Sequence, residues 1–431
     1  MARDATVGGA GDAAGTSRGA PASTGAADAP ERESIRLMIG LSAGHGVKHL
    51  CQGALLILMP SIRSALGLSD VAVGGIFTAQ QISSGTANAP AGILTDMFRR
   101  RVALMLVVSM LCVTTAYLFI GLTQWYWLLL LAVVVLGTGT SLWHAPAFAT
   151  LAARYPERRG LAMSAHLTGA QVGDTTAPLV IGLVLGGFAI WGLSWAGLEW
   201  RMVALLLVIP AAGTGALVLA LFKSGGNGVA AKVSLTDYLS ATRRLFKNPG
   251  VLSMVALHAT RGAAHQSFQI FLVIYMSDVL RYSPLMIGVH ISLLTLAGII
   301  STPLMGALSD RIGRKPVIIG MMSTLAAIIF TFTIFESGWP MAIALAFLGM
   351  VLFSVMPIIT AAAMDVTDKG SEGTSIALMF AGGAVIGAFA PVAAGAINSR
   401  WDFQGVVIFA GSIATIGALI AMIAPTVRRR A

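Results

Sequence analysis

Gly306-Ala307-Leu308-Ser309-Asp310-Arg311-Ile312-Gly313-Arg314-Lys315 joins two strongly apolar runs. A second copy, Gly92-Ile93-Leu94-Thr95-Asp96-Met97-Phe98-Arg99-Arg100-Arg101, lies 214 residues earlier in this chain of 431. Both copies keep a Gly, an Asp four residues later and a basic cluster; the earlier one lacks the second Gly. Basic residues alone would anchor a loop on one side of a bilayer, but anchoring does not require the Gly and the Asp. The shift of 214 also superposes Ser69 on Ser283 and Gly74 on Gly288. A shift of 213 superposes Gly160, Gly169, Pro178 and Gly182 on Gly373, Gly382, Pro391 and Gly395. Matches at a nearly constant offset across apolar runs, loops and Pro positions mark two related halves.

Outward from these loops the chain is a series of apolar runs of about 20 residues, the length that crosses a bilayer core as a helix. With 56% of residues hydrophobic and 11% charged, a water-facing surface is excluded. Twelve spans are predicted, at about 35–59, 71–95, 102–122, 126–151, 161–189, 201–222, 251–276, 285–308, 316–335, 340–363, 374–398 and 404–425. The fold class is therefore all-α membrane protein, two six-helix bundles related by a parallel pseudo-twofold repeat. Residues 1–34 are predicted to be a disordered tail, 35–222 the first bundle, 223–250 a linker, 251–427 the second bundle and 428–431 a basic end.

An even number of spans puts both termini on one side. Of the 28 Lys and Arg residues, 22 lie in the tail, in alternate loops and at the C-terminal end. The opposite loops hold Arg63, Arg201, Arg281 and Arg400, so the termini and linker are expected to be cytoplasmic, in a bacterial inner membrane. This distribution also accounts for the net charge of +10 without a nucleic-acid partner. Cys51 and Cys112 both fall in apolar runs and offer no disulfide framework or paired-Cys metal motif. No cofactor or metal is predicted, and no HExxH, GxSxG or Walker motif suggests an enzyme.

The two remaining basic residues, Lys48 and Arg261, lie inside spans, as do all seven histidines. His45, Lys48, His49 and Gln52 recur at three and four residues and share one face of span one; His258, Arg261, His265 and Gln269 do the same on span seven. A charge at the bilayer centre costs about 2.5–3.5 kcal/mol on insertion scales, so it faces a cavity or a partner. These eight residues are the predicted substrate-binding set. Asp174 in span five is the clearest intramembrane acid. It is expected to pair with Lys48 or Arg261, or to carry a proton. His166, two turns before it, and His144 in span four are the other proton-coupling candidates, because imidazole titrates near neutral pH. Two fixed cations against one acid predict a cavity that prefers an anion.

On the paired loops the chain resembles the major facilitator superfamily, from Ile35 to Arg430. The resemblance implies that spans one, four, seven and ten line a central cavity. It also implies a gating role for Gly92, Asp96, Arg100 and Arg101 and for Gly306, Asp310, Arg311, Gly313, Arg314 and Lys315, the Asp pairing with basic residues and a helix end. Gly169, Gly173, Ala177, Pro178 and Gly182 are similar to the Gly/Pro pattern of antiporter branches, with generic small-residue packing as the alternative. Gly137-Thr138-Gly139-Thr140-Ser141-Leu142-Trp143-His144-Ala145-Pro146, followed by Arg158-Arg159-Gly160, resembles the fosmidomycin-resistance-type efflux branch. The expected function is secondary transport by alternating access: proton-coupled export of a small organic anion by a monomer in the lipid bilayer. The alternatives are proton-coupled uptake of a carboxylate or phosphonate, and a non-transporting receptor or scaffold on the same fold.

Overall fold

The computed structural model describes residues 28–222, 243, 247–335, 337–367 and 372–425. The predicted tail up to residue 27, most of the linker and the basic end lie outside the described residues. Spans one to three are Asp28–Leu66, Asp70–Met97 and Val102–Leu122. Span four is interrupted at Trp143, giving Tyr126–Leu142 and His144–Arg154. Pro146 has no backbone N–H to donate, which weakens the helix at that turn. Spans five to seven are Arg159–Gly186, Trp200–Phe222 and Pro249–Asp278; spans eight to ten are Pro284–Ile312, Arg314–Thr331 and Gly338–Asp365. Span eleven starts as Glu372–Gly387 and continues into Ala390–Ile423, which breaks at Trp401 and Asp402. Asp402 takes φ 52°, and the helix beyond it is span twelve.

Among the described residues, seven helical stretches are long and apolar enough by composition to cross a membrane. The spans outside that set are one, two, five and seven. Three of these four carry the predicted polar stripes and Asp174, so the residues that lower their hydropathy are the candidate functional residues themselves.

The repeat read from the sequence is made physical where the halves touch. A Cβ at Gly74 of span two would meet the Pro391 carbonyl of span eleven at 2.3 Å, and one at Gly288 of span eight would meet the Pro178 carbonyl of span five at 2.2 Å. Likewise Gly395 abuts the Asp70 carbonyl at 2.3 Å and Gly182 the Pro284 carbonyl at 2.4 Å. These are the same contacts made twice, because the repeat equates Gly74 with Gly288, Pro391 with Pro178 and Gly395 with Gly182. Backbone meets backbone here only because no side chain intervenes. The caps repeat too: Ser69 Oγ accepts from the Ala72 N–H and Ser283 Oγ from the Met286 N–H, each at 3.2 Å.

Close approach also fixes span one on span five within the first half. A Cβ at Gly169 would lie 2.1 Å from the Ser42 carbonyl, and one at Gly173 would lie 2.2 Å from the Gly46 carbonyl. Gly169→Val is therefore expected to destabilise the first bundle by at least the ~1–3 kcal/mol typical of overpacking, read as a lower thermal midpoint in detergent. At Gly213, inside span six, a Cβ would meet nothing within 4 Å, so Gly213→Ala is a control that should not lower the midpoint.

A two-stranded hairpin, Phe188–Ile190 paired antiparallel with Leu193–Trp195, closes the loop between spans five and six. Exposed Trp125, Trp127, Trp191, Trp195, Trp339 and Trp401 all sit at this end of the bundle, opposite the termini. They form the aromatic belt that anchors a membrane protein at one interface.

Candidate functional site

The i, i+4 and i, i+3 spacings of span one place His45, Lys48 and His49 on the face that packs against spans four and five. Lys48 is 1% exposed, and its Nζ donates to Nε2 of His144 at 3.2 Å. His49 donates from Nδ1 to Oδ1 of Asp174 at 2.9 Å. Nδ1 of His45 lies 2.9 Å from the backbone carbonyl of His166, and the two imidazoles stack with centroids 4.0 Å apart. His45 also meets His49 and His144 edge-on, at 4.7 and 5.1 Å between centroids. Three spans thus bring four imidazoles, an ammonium and a carboxylate together, and all six were predicted site residues. One expectation is corrected: the partner of Asp174 is His49, not Lys48 or Arg261. Asp174 and His49 converge where Gly173 lets span five close on span one, a contact that residue type alone does not reveal.

The second stripe is arranged differently. Arg261 donates from Nε and Nη2 to the Leu352 carbonyl of span ten, at 3.1 and 3.0 Å. Leu352 lies inside span ten, which runs unbroken through Pro357. His258 packs edge-on to Phe380 of span eleven and His265 edge-on to Phe353 of span ten, at 5.0 and 5.5 Å between centroids. Gln52 is half-buried and Gln269 buried, each extending its stripe by a turn. The carboxylate therefore serves the first half, and the second half holds its cation with a backbone dipole. His290, the remaining intramembrane histidine, lies apart, with its Nδ1 2.8 Å from the Met286 carbonyl in its own helix.

At the loop after span eight, Arg314 bridges Asp310 at 3.1 Å and Asp365 at 2.5 Å, while Lys315 donates to the Ala424 carbonyl at the end of span twelve at 2.7 Å. Gly313 closes span eight with φ 98°, a left-handed conformation suited to Gly. At the first copy the chain instead turns through Phe98, φ −118°, into the short turn Arg99–Arg101, so no left-handed residue is needed at Phe98. Arg100 is exposed; the side chain of Asp96 lies outside the described residues. A Cβ at Gly92 or Gly306 would meet nothing within 4 Å, so neither Gly serves close packing in this conformation. Arg311 follows Asp310 on the exposed end of span eight.

One cluster escaped the sequence reading because its members come from the ends of helices far apart in the chain. Arg63 at the end of span one pairs with Asp70 at 2.7 Å and with Asp278 at the end of span seven. Asp70 also accepts from Asn398 Nδ2 of span eleven at 2.8 Å. The end of the bundle opposite the termini is thereby tied across both halves.

The model for the Major Facilitator Superfamily matches residues 41–283 and 254–431. The chain belongs to the major facilitator superfamily. This facilitator is 24% identical over 396 residues to a putative metabolite transport protein of Haemophilus influenzae, covering 89% of this chain and 94% of the relative. It is 23% identical over 308 residues to the fosmidomycin resistance protein of Escherichia coli, covering 72% of each. Among solved structures, a bacterial homologue of the human lysosomal transporter Spinster, inward-facing and unoccupied, superposes with a TM-score of 0.75 at 15% identity, over 91% of this chain and 97% of the other. The nucleoside transporter NupG superposes with a TM-score of 0.71 at 13% identity, over 90% of this chain and 98% of the other. These superpositions establish the fold. This facilitator is a multi-pass membrane transporter.

Proposed function

We propose that this facilitator exports a small organic anion in exchange for protons, by alternating access, as a monomer in the bacterial inner membrane with both termini in the cytoplasm. The observation that carries the reading is the state of Lys48. It is 1% exposed, and among the described residues no carboxylate lies within 4.0 Å of its ammonium. Arg261 likewise leans on a carbonyl. Cations inside a membrane without a counter-carboxylate favour a ligand that brings the negative charge. A carboxylate, phosphate or phosphonate suits both an ammonium and a guanidinium. Asp174, His144 and His166 are the assigned proton carriers, standing beside His49, Lys48 and His45.

The closure by Arg63, Asp70, Asp278 and Asn398, together with the tight Gly contacts at the same end, supports a conformation loaded from the side of the termini. That is the loading state of an exporter when the termini are cytoplasmic. The resemblance to the fosmidomycin resistance protein favours efflux of the same chemical class. The gating residues of the two loops, Asp96 and Asp310 with their basic neighbours, are assigned to the opposite conformation, where the cytoplasmic ends close.

Proteoliposomes carrying the purified protein provide the test. With an imposed proton gradient, a small labelled phosphonate or carboxylate is expected to move against the direction of proton flow. Movement in the same direction would identify an uptake symporter instead. Transport of lipophilic cations with anions ignored would overturn the anion reading, and no flux of either class would leave a receptor or scaffold.

A further inference from the structure

His45 and His49 stand at i and i+4 on span one, the spacing at which two imidazoles on one helical face chelate a metal. His144 adds a third ring from the interruption in span four, and one nitrogen of each ring lies within 4.8 Å of the other two. Two of the three rings are already held as metal-bound histidines are held. The carbonyl of His166 takes the Nδ1 proton of His45, and the carboxylate of Asp174 takes that of His49. Acceptors at Nδ1 fix the tautomer and leave the Nε2 lone pair free to bind, and a carboxylate behind an imidazole raises its basicity. His45 is 1% exposed, and its Nε2 has no hydrogen-bond partner among the described residues.

The third ring presents its Nε2 to the Lys48 ammonium at 3.2 Å. An ammonium has donors and no acceptor, so the lone pair of His144 is already turned toward a cation. We propose that His45, His49 and His144 bind a divalent transition-metal ion of the Zn²⁺ class, and that the ion takes the place at His144 which Lys48 holds in this structure. Three neutral imidazoles with an open fourth position suit Zn²⁺ and its neighbours and not Mg²⁺ or Ca²⁺, which need oxygen ligands. At Zn–N distances of about 2.0–2.1 Å the ligand nitrogens stand about 3.3 Å apart, so binding draws the three rings together. Asp174 supplies the negative charge of the site. Lys48 opposes the ion, so the seated ammonium and the bound metal exclude each other. His166 contributes its carbonyl, while its ring stacks on His45 outside the converging set.

Metal binding goes beyond the transport reading and is tested without it. The full chain, purified in detergent with a tag free of histidine, is titrated with Co²⁺ while its visible d–d absorption is recorded. One ion per chain is expected, with the intense band of a low-coordinate nitrogen site, and Zn²⁺ should displace it. His49→Ala and His144→Ala are each expected to lower Co²⁺ affinity at least 100-fold. Asp174→Asn, which keeps an acceptor for His49 but removes its negative charge, should lower it about 10- to 100-fold. Lys48→Met, which removes the competing cation, should raise it about tenfold. This gain cannot come from misfolding, so it decides the matter if a histidine variant fails to fold. Affinities unchanged in both Lys48→Met and Asp174→Asn would overturn the proposal, as would a wild-type protein that leaves Co²⁺ with its aqueous spectrum.

Discussion

Lys48→Ala is expected to reduce binding and transport of the anion about 100-fold or more while leaving the protein at least as stable as wild type. The loss follows from the site. Truncating one partner of a buried charge pair costs about 2–5 kcal/mol, and each 1.4 kcal/mol is about tenfold in affinity. The stability expectation has the opposite sign. An ammonium near the bilayer centre costs about 2.5–3.5 kcal/mol on insertion scales, and Lys48 offsets this with a hydrogen bond to His144 and, among the described residues, with no carboxylate within 4.0 Å. Removing it relieves more than it breaks. Thermal denaturation in detergent and anion flux in proteoliposomes, measured on the same preparation, check both halves. Wild-type flux in Lys48→Ala would sink the assignment, whereas loss of flux with a collapsed thermal midpoint would mean that Lys48 is structural. Lys48→Arg is not expected to rescue, because a fork-shaped guanidinium does not fit where a buried point charge sits.

Arg63→Ala is expected to open the end of the bundle that Arg63 now ties shut. Arg63 is the shared partner of Asp70 and Asp278, and Asp70 is only 8% exposed. Without the guanidinium, two carboxylates from opposite halves are left facing each other and Asp70 retains only Asn398. Exposed pairs are worth about 0–1 kcal/mol and truncated buried ones about 3–5 kcal/mol. This half-buried bridge falls between them. A loss of about 2 kcal/mol shifts the ratio of the two conformations about 30-fold. Spin labels on Ala65→Cys and Val279→Cys, at the ends of spans one and seven, are expected to show a longer distance population in Arg63→Ala. Asp278→Asn keeps the Arg63–Asp70 pair and should show a smaller increase. Identical distance distributions in all three proteins would mean that the tight Gly contacts alone hold this end closed.

Much of the architecture was legible in one dimension because its causes are one-dimensional. An apolar run either is or is not long enough to cross a bilayer, and a Lys or Arg in a short loop biases which side it stays on. The repeat at 213 to 214 residues was readable for the same reason, but only the structure showed that Gly74 with Pro391 and Gly288 with Pro178 are one contact made twice. Helical periodicity likewise put His45, Lys48 and His49 on one face. It did not say which residue would answer them.

Those answers depend on how closely helices approach, which is set by pairs of residues far apart in the chain. Gly169 and Gly173 bring span five onto span one so tightly that Asp174 reaches His49, where charge alone pointed to a basic residue. Arg261 turns to a carbonyl inside span ten, a dipole that the identity of Leu352 cannot advertise. Arg63 meets Asp70 and Asp278 only because the first and seventh spans end side by side. The sequence by itself determined the spans, the two halves and the faces that carry the polar residues, since these follow from length, periodicity and repetition. The tertiary structure alone decided the pairings, since an imidazole, an ammonium and a carboxylate attract one another wherever packing brings them within about 3 Å.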